Sequence, residues 1–141
     1  MIFCDINVLV FAHREDAVDH RRYADWLDEA IDSDEAYGVS ELVLSGFMRI
    51  VTNRRIMKTP STVEEALGFV GDLREQPNAV TLAPGPRNWG IFERLCREAS
   101  ATGDLIPDAY LAALAIEHGA ELISADRGFA RFPGLRWRTP F

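Results

Sequence analysis

The chain has 141 residues, 48% of them hydrophobic, with 22 acidic against 15 basic side chains and a formal net charge of -7. This length suits a single domain that buries about two thirds of its unfolded surface, and the composition excludes intrinsic disorder and repeat architectures. Excess acid repels nucleic acid, so any role on RNA or DNA requires local arginines or bound cations to offset the phosphates.

The opening Ile2-Phe3-Cys4, followed after Asp5 by Val8, Leu9, Val10 and Phe11, reads as a buried strand ended or interrupted by Asp5. No basic region precedes it, as a secretory signal would require, so a cytoplasmic location is expected. From Asp19 to Ile31, Tyr23, Trp26, Leu27 and Ile31 recur at helical spacing among charges, the pattern of an amphipathic helix. Ala36 to Val39 is extended. Ser40 is a suitable N-cap for a helix beginning at Glu41, and Leu42, Val43, Leu44, Phe47, Met48, Ile50 and Val51 make that helix apolar on nearly every side, hence deeply buried. The only lysine, Lys58, lies near Arg49, Arg54 and Arg55, a cluster of cations that could meet a polyanion.

Thr62 with Glu65 forms a capping-box pattern for a helix to about Glu75. Ala79 to Leu82 is a strand candidate, followed by a turn at Pro84-Gly85-Pro86 and an amphipathic helix from Trp89 to Ser100. Pro107 starts a helix from Asp108 to His118 whose body carries no charge, with Gly119 as its terminal cap. Glu121 to Ser124 is a strand, and Ala125 to Gly128 a turn. The longest uncharged stretch, Gln76 to Pro86, contains three prolines, so nothing resembles a membrane span of roughly 20 apolar residues. Alternation of strands and helices without hairpin signals predicts an α/β domain with a mainly parallel central sheet flanked by helices.

Ligands of such sheets bind beyond the strands' carboxyl ends. Asp5 and Asp126 follow two predicted strands, and Glu41 and Asp108 begin two apolar helices that can open onto the same side. Asp108 shares a face with Leu111, Ala112 and Ala115, and Glu41 with Leu44, Ser45 and Met48, so both acids lie on core-facing stripes. Singly, Glu41 and Asp108 could be first-turn charges and Asp126 a turn former. Together, four clustered carboxylates repel one another unless a cation is present, and an all-oxygen set suits magnesium or manganese. Asp104, beside Gly103, could be a fifth acid or a solvated loop residue. His13, His20 and His118 have neither zinc-ligand spacing nor the neighbours of a catalytic pair, and Cys4 and Cys96 read as packed, reduced side chains.

The segments Asp5-Ile6-Asn7-Val8-Leu9-Val10, Ser40-Glu41-Leu42-Val43 with Arg49 and Thr52-Asn53, and Pro107-Asp108-Ala109 through Ser124-Ala125-Asp126-Arg127-Gly128-Phe129 resemble a PIN-domain ribonuclease. More narrowly they resemble the VapC toxins of VapBC toxin-antitoxin modules. The resemblance implies a single PIN-like domain over residues 1–141 and an endoribonuclease using magnesium or manganese. Its acidic residues, both metal-holding and catalytic, would be Asp5, Glu41, Asp108 and Asp126, with Asn7 and Ser124 orienting them. It also implies an antitoxin occupying the acidic groove, and a homodimer is common in the family. Either the Tyr23, Trp26, Leu27 face or the helix after Thr62 could supply the dimer patch. Arg49, Arg54 and Arg55 are candidate RNA contacts. The competing readings are a catalytically silent PIN-like module that binds RNA or protein, a phosphorylation-dependent signalling domain and a dehalogenase-type phosphatase. The second lacks a lysine near its last strand, and the third has Asn7 where a second acid is needed.

Overall fold

A computed structural model describes all residues from Met1 to Phe141. Five short strands, β1 (Ile2–Cys4), β2 (Tyr37–Val39), β3 (Ala79–Thr81), β4 (Glu121–Ile123) and β5 (Trp137–Arg138), form one sheet in the order β3-β2-β1-β4-β5. Every neighbouring pair is parallel. Phe3 of β1 lies opposite Gly38 on one side and Leu122 on the other. Both edges of β1 are therefore paired, and the residue that follows it, Asp5, falls at the middle of the sheet's carboxyl edge. The Asp5 N–H donates to the Ile123 carbonyl at 2.9 Å, extending the ladder by one bond before the chain turns away.

Six helices cover the sheet: α1 (Ile6–His13), α2 (His20–Asp32), α3 (Glu41–Val51), α4 (Val63–Arg74), α5 (Asn88–Glu98) and α6 (Leu105–Glu117). One cluster of 29 buried hydrophobic residues runs through all of them, so the chain has a single core. Each of its fully buried leucines, valines and phenylalanines contributes roughly 1.5–3 kcal/mol relative to exposure. No helix is long and apolar enough to cross a membrane.

Most predicted elements form where the sequence places them, and the Thr62–Glu65 capping box closes in both directions at the start of α4. Four features differ. The apolar run Val8 to Phe11 is helix rather than strand: Asp5 caps α1, its Oδ1 accepting from the Ile6 N–H at 2.7 Å, and Val8, Leu9, Val10 and Ala12 are all buried. Burial on several sides erases the polar face on which a helix reading depends. Helix α6 starts at Leu105, two residues before Pro107. Pro107 stands in the first turn, where its missing N–H has no intrahelical acceptor to lose. Helix α3 is less buried than its composition suggests, for Leu42 is 48% exposed. Ser40 stands at its N-cap position without a side-chain cap bond. The residues after Ser124 form a 3-10 helix (Arg127–Arg131) capped by Asp126, and β5 beyond it carries too little apolar pattern to be anticipated.

The end of α6 follows its sequence signal. Gly119 adopts φ +64, its N–H bonding Ile116 and the next N–H, of Ala120, bonding Ala115, which satisfies carbonyls the helix would leave open. The α2 face bearing Tyr23 and Leu27 is buried internally, Tyr23 packing on Phe11 and Phe141, whereas Val63 and Leu67 of α4 stay exposed.

Candidate active site

Asp5 is the centre of a hydrogen-bond network spanning the gap between β1 and β4. Its Oδ2 accepts from Asn7 Nδ2 at 2.8 Å and from Ser124 Oγ at 2.7 Å, while Oδ1 accepts only the Ile6 N–H. Asn7 Nδ2 also donates to Ser124 Oγ at 3.2 Å, and Asn7 Oδ1 accepts the Ala125 N–H at 3.1 Å. Ser124, with no exposed surface, accepts the Asp126 N–H on the same Oγ at 3.0 Å. Asp126 Oδ1 in turn accepts the Gly128 N–H at 2.7 Å. One hydroxyl thus ties the two acids at the ends of adjacent strands, and Asn7 and Ser124 orient Asp5.

The acids are close enough to disturb one another. Burial pushes the Asp5 carboxyl above its ordinary range and the nearby Asp126 adds to this, while the bonds from Ser124, Ile6 and Asn7 oppose it. Asp108 is raised first by burial, then by the charges of Asp5 and Asp126 and more weakly by Asp104, with Arg131 acting the other way. Asp104 itself is exposed at the N-cap position of α6 and makes no cap bond. Cys4, next to Asp5, is pushed up to about 12 by burial and by that carboxylate, so it is a protonated packing residue at neutral pH.

Asp5 and Asp108 line a groove of about 530 Å³ together with Ile6, Leu42, Gly46, Arg49, Tyr110 and neighbours on α3 and α6. One end of the groove is acidic, its walls are largely apolar, and Arg49 is its only cation. Glu41 opens α3 but, like Asp126, is not among the residues lining the groove; its carboxylate is 78% exposed and its cationic neighbour is Arg74 on α4, 3.9 Å away. Such a surface pair is worth about 0–1 kcal/mol, so it does not fix the side chain. Arg54 and Arg55 lie exposed in the turn after α3, outside the groove lining. Sequence reasoning missed the groove walls Ile6, Leu42 and Tyr110, which look like ordinary core residues, and it missed Arg131. Arg131 carries no helical or strand spacing relative to Asp126 because a 3-10 turn brings it back.

No three acidic, histidine or cysteine side chains stand close enough to enclose an ion by themselves. The donor set nonetheless fits a hard divalent cation. It is all oxygen, Asp5 and Asp108 are both raised by burial and by neighbouring carboxylates, and Asp5 Oδ1 retains an unused lone pair because both other donors bind Oδ2. Magnesium typically takes one or two carboxylates and keeps several waters, so it does not need a closed protein cage.

A five-stranded parallel sheet of this order, with acids gathered beyond its central strands, defines an α/β domain whose chemistry lies at the sheet's carboxyl edge. The model of the PIN domain family matches residues 2–135. Over 140 residues the chain is 46% identical to VapC ribonuclease Mb2897 of Mycobacterium bovis, covering 99% of this chain and 95% of that one. It is 44% identical to ribonuclease VapC25 of Mycobacterium tuberculosis, covering 99% of both. The chain belongs to the PIN-domain family and, within it, to the VapC ribonucleases. Its fold is shared with the VapBC2 complex of Rickettsia felis bound to a promoter DNA fragment, at a TM-score of 0.71, 18% identity and coverage of 99% and 98%. It is also shared with Mycobacterium tuberculosis VapC20, a toxin that cleaves the sarcin-ricin loop, at a TM-score of 0.66, 15% identity and coverage of 96% and 99%.

Proposed function

We propose that this protein is a magnesium- or manganese-dependent endoribonuclease, the toxin of a VapBC-type pair, acting in the cytoplasm. The observation that carries the reading is the ordered Asp5 carboxylate, held by three donors and facing Asp108 in a groove, with Asp126 tied to it through Ser124. Asp5 and Asp108 would hold the ion, with Asp126 and Glu41 completing its surroundings or positioning water. Glu41 is free to leave Arg74 because that pair is solvent-exposed. When bound, a divalent ion supplies an acidified water and positive charge opposite the phosphoryl oxygens.

The chain's own residues do the rest. Ser124 and Asn7 hold Asp5 through Oδ2 and leave a lone pair of Oδ1 free, so the carboxylate is ordered before substrate arrives. Arg49 offers its guanidinium to a flanking phosphate, and Arg54 and Arg55 extend the positive surface beyond the groove. Ile6, Leu42 and Tyr110 give the groove apolar walls beside the acids. They also complement an amphipathic antitoxin segment bearing a cation, and the structural neighbours include VapBC complexes. The exposed Val63 and Leu67 on α4 favour that helix as the surface for a homodimer.

The test is cleavage of total RNA by antitoxin-free protein in magnesium, in manganese and in chelator, beside an Asp5→Asn, Asp108→Asn variant. Discrete fragments should appear only with metal and only with the unaltered protein. Folded protein that cleaves nothing in either metal would leave a binding module as the better account.

A further inference from the structure

Arg131 has no assigned role, yet its place in the fold is unusual. It ends the 3-10 helix that Asp126 caps, on the β4 side of Asp5, whereas Arg49 follows β2 on the other side. Its Nε donates to the Gly128 carbonyl at 2.8 Å, and its two terminal nitrogens make no hydrogen bond and meet no carboxylate within ion-pair distance. Both Asp126 Oδ1 and Arg131 Nη2 border the space that a Cβ on Gly128 would occupy, at 2.9 and 3.2 Å from it. The two side-chain ends thus flank the same space beside Gly128 without forming an ion pair. Its charge is also felt at Asp108.

An arginine that merely neutralised these acids would sit in contact with one of them. Instead Asp126 Oδ1 takes the Gly128 N–H, and Arg131 is held by its Nε with the two-pronged edge open to solvent. That edge matches two oxygens of a phosphate, and the Nε bond reduces the rotamer freedom lost on binding.

We infer that Arg131 is a substrate-binding residue that grips an RNA phosphate beside the Asp5–Asp108–Asp126 cluster, so that the strand crosses the acids between Arg49 and Arg131. The inference rests on the nuclease reading above, because it assigns the phosphate to the strand being cleaved.

The experiment compares wild type, Arg131→Gln and Arg131→Lys in three measurements. These are cleavage kinetics on total RNA, manganese binding by titration calorimetry, and binding of a labelled random-sequence single-stranded RNA by anisotropy. The RNA-binding arm uses an Asp5→Asn background that blocks cleavage. Thermal unfolding confirms folding, which an exposed side chain with one backbone bond should not disturb. We expect Arg131→Gln to lower kcat/KM by about 10- to 100-fold, as loss of a charge-assisted hydrogen bond to the substrate does. The same change should flatten the slope of log K against log salt by about 0.7, the value for one phosphate on a single strand. Manganese should bind no more weakly, since a neighbouring cation has been removed, and lysine should restore part of the activity. Unchanged kcat/KM and salt slope would overturn the inference, and so would weakened manganese binding in step with activity, which marks a scaffold for the acids. If the wild type cleaves nothing in either metal, the nuclease reading fails separately. Arg131 is then judged by RNA binding alone, where an unchanged salt slope overturns it.

Discussion

Replacing Ser124 by alanine isolates the hydroxyl that joins Asp5 to Asp126. Ser124 is completely buried, and its Oγ donates to Asp5 Oδ2 at 2.7 Å while accepting from Asn7 Nδ2 and the Asp126 N–H. A hydrogen bond to a charged group contributes about 1.5–3 kcal/mol, and the part-buried Asp126 N–H also loses its acceptor, at less than the cost of a fully buried one. Asn7 keeps its bond to Asp5, so the losses do not add fully, and we expect a net destabilisation of about 2–4 kcal/mol. For a chain of this size that is a drop on the order of 10 °C in midpoint. The same bond lowers the Asp5 pKa against the upward pull of burial, so its removal raises that pKa further. Metal binding needs the ionised carboxylate, and the acid limb of the manganese-binding pH profile should therefore move to higher pH. Thermal unfolding and calorimetric titration across pH read the two effects. An unchanged midpoint together with an unmoved acid limb would refute the assignment of Ser124 as the residue that orients and stabilises Asp5.

Asp5 and Asp108 both have folded-state pKa values above the ordinary 3.8, so the metal-free fold binds protons more tightly than the unfolded chain. Metal-free stability should fall as pH rises through the window above 3.8 in which they ionise, and magnesium should restore it at neutral pH. A flat melting temperature across that window, with and without magnesium, would refute this. Asp108→Asn should raise the metal-free midpoint at neutral pH while abolishing cleavage, and a lowered midpoint would argue that the carboxylate has an unrecognised structural partner. At Gly46, an added Cβ would lie 2.5 Å from Ile6 Cδ1, the mobile end of a groove-lining side chain. Gly46→Ala should leave stability nearly unchanged, its helix-propensity gain of about 1 kcal/mol offsetting the shift of Ile6, yet weaken antitoxin binding measured by calorimetry. In Gly38→Ala, the Cβ would meet Leu82 Cδ1 and Cγ at 2.5 and 2.9 Å inside the core. Overpacking there should cost about 1–3 kcal/mol in denaturant unfolding.

The amino-acid sequence by itself determined which elements form where local chemistry is unambiguous. The Thr62–Glu65 box starts α4, Gly119 ends α6, and Asp5 and Asp126 lie beyond the carboxyl ends of β1 and β4, outside the buried part of each strand, where a charge is less costly. The resemblance carried by its motifs supplied the family. Only the tertiary structure decided what depends on approach between distant segments. A run such as Val8 to Phe11 that is buried nearly all round has no polar face to reveal its period, so its helical state shows only once Asp5 caps it. Sequence spacing also says nothing of residues brought together across 119 positions by the pairing of β1 with β4, which is how Ser124 comes to hold Asp5. The exposure of Glu41 beside Arg74 and the return of Arg131 over Gly128 are likewise set by packing and by a 3-10 turn, for which the chain carries no periodic signal.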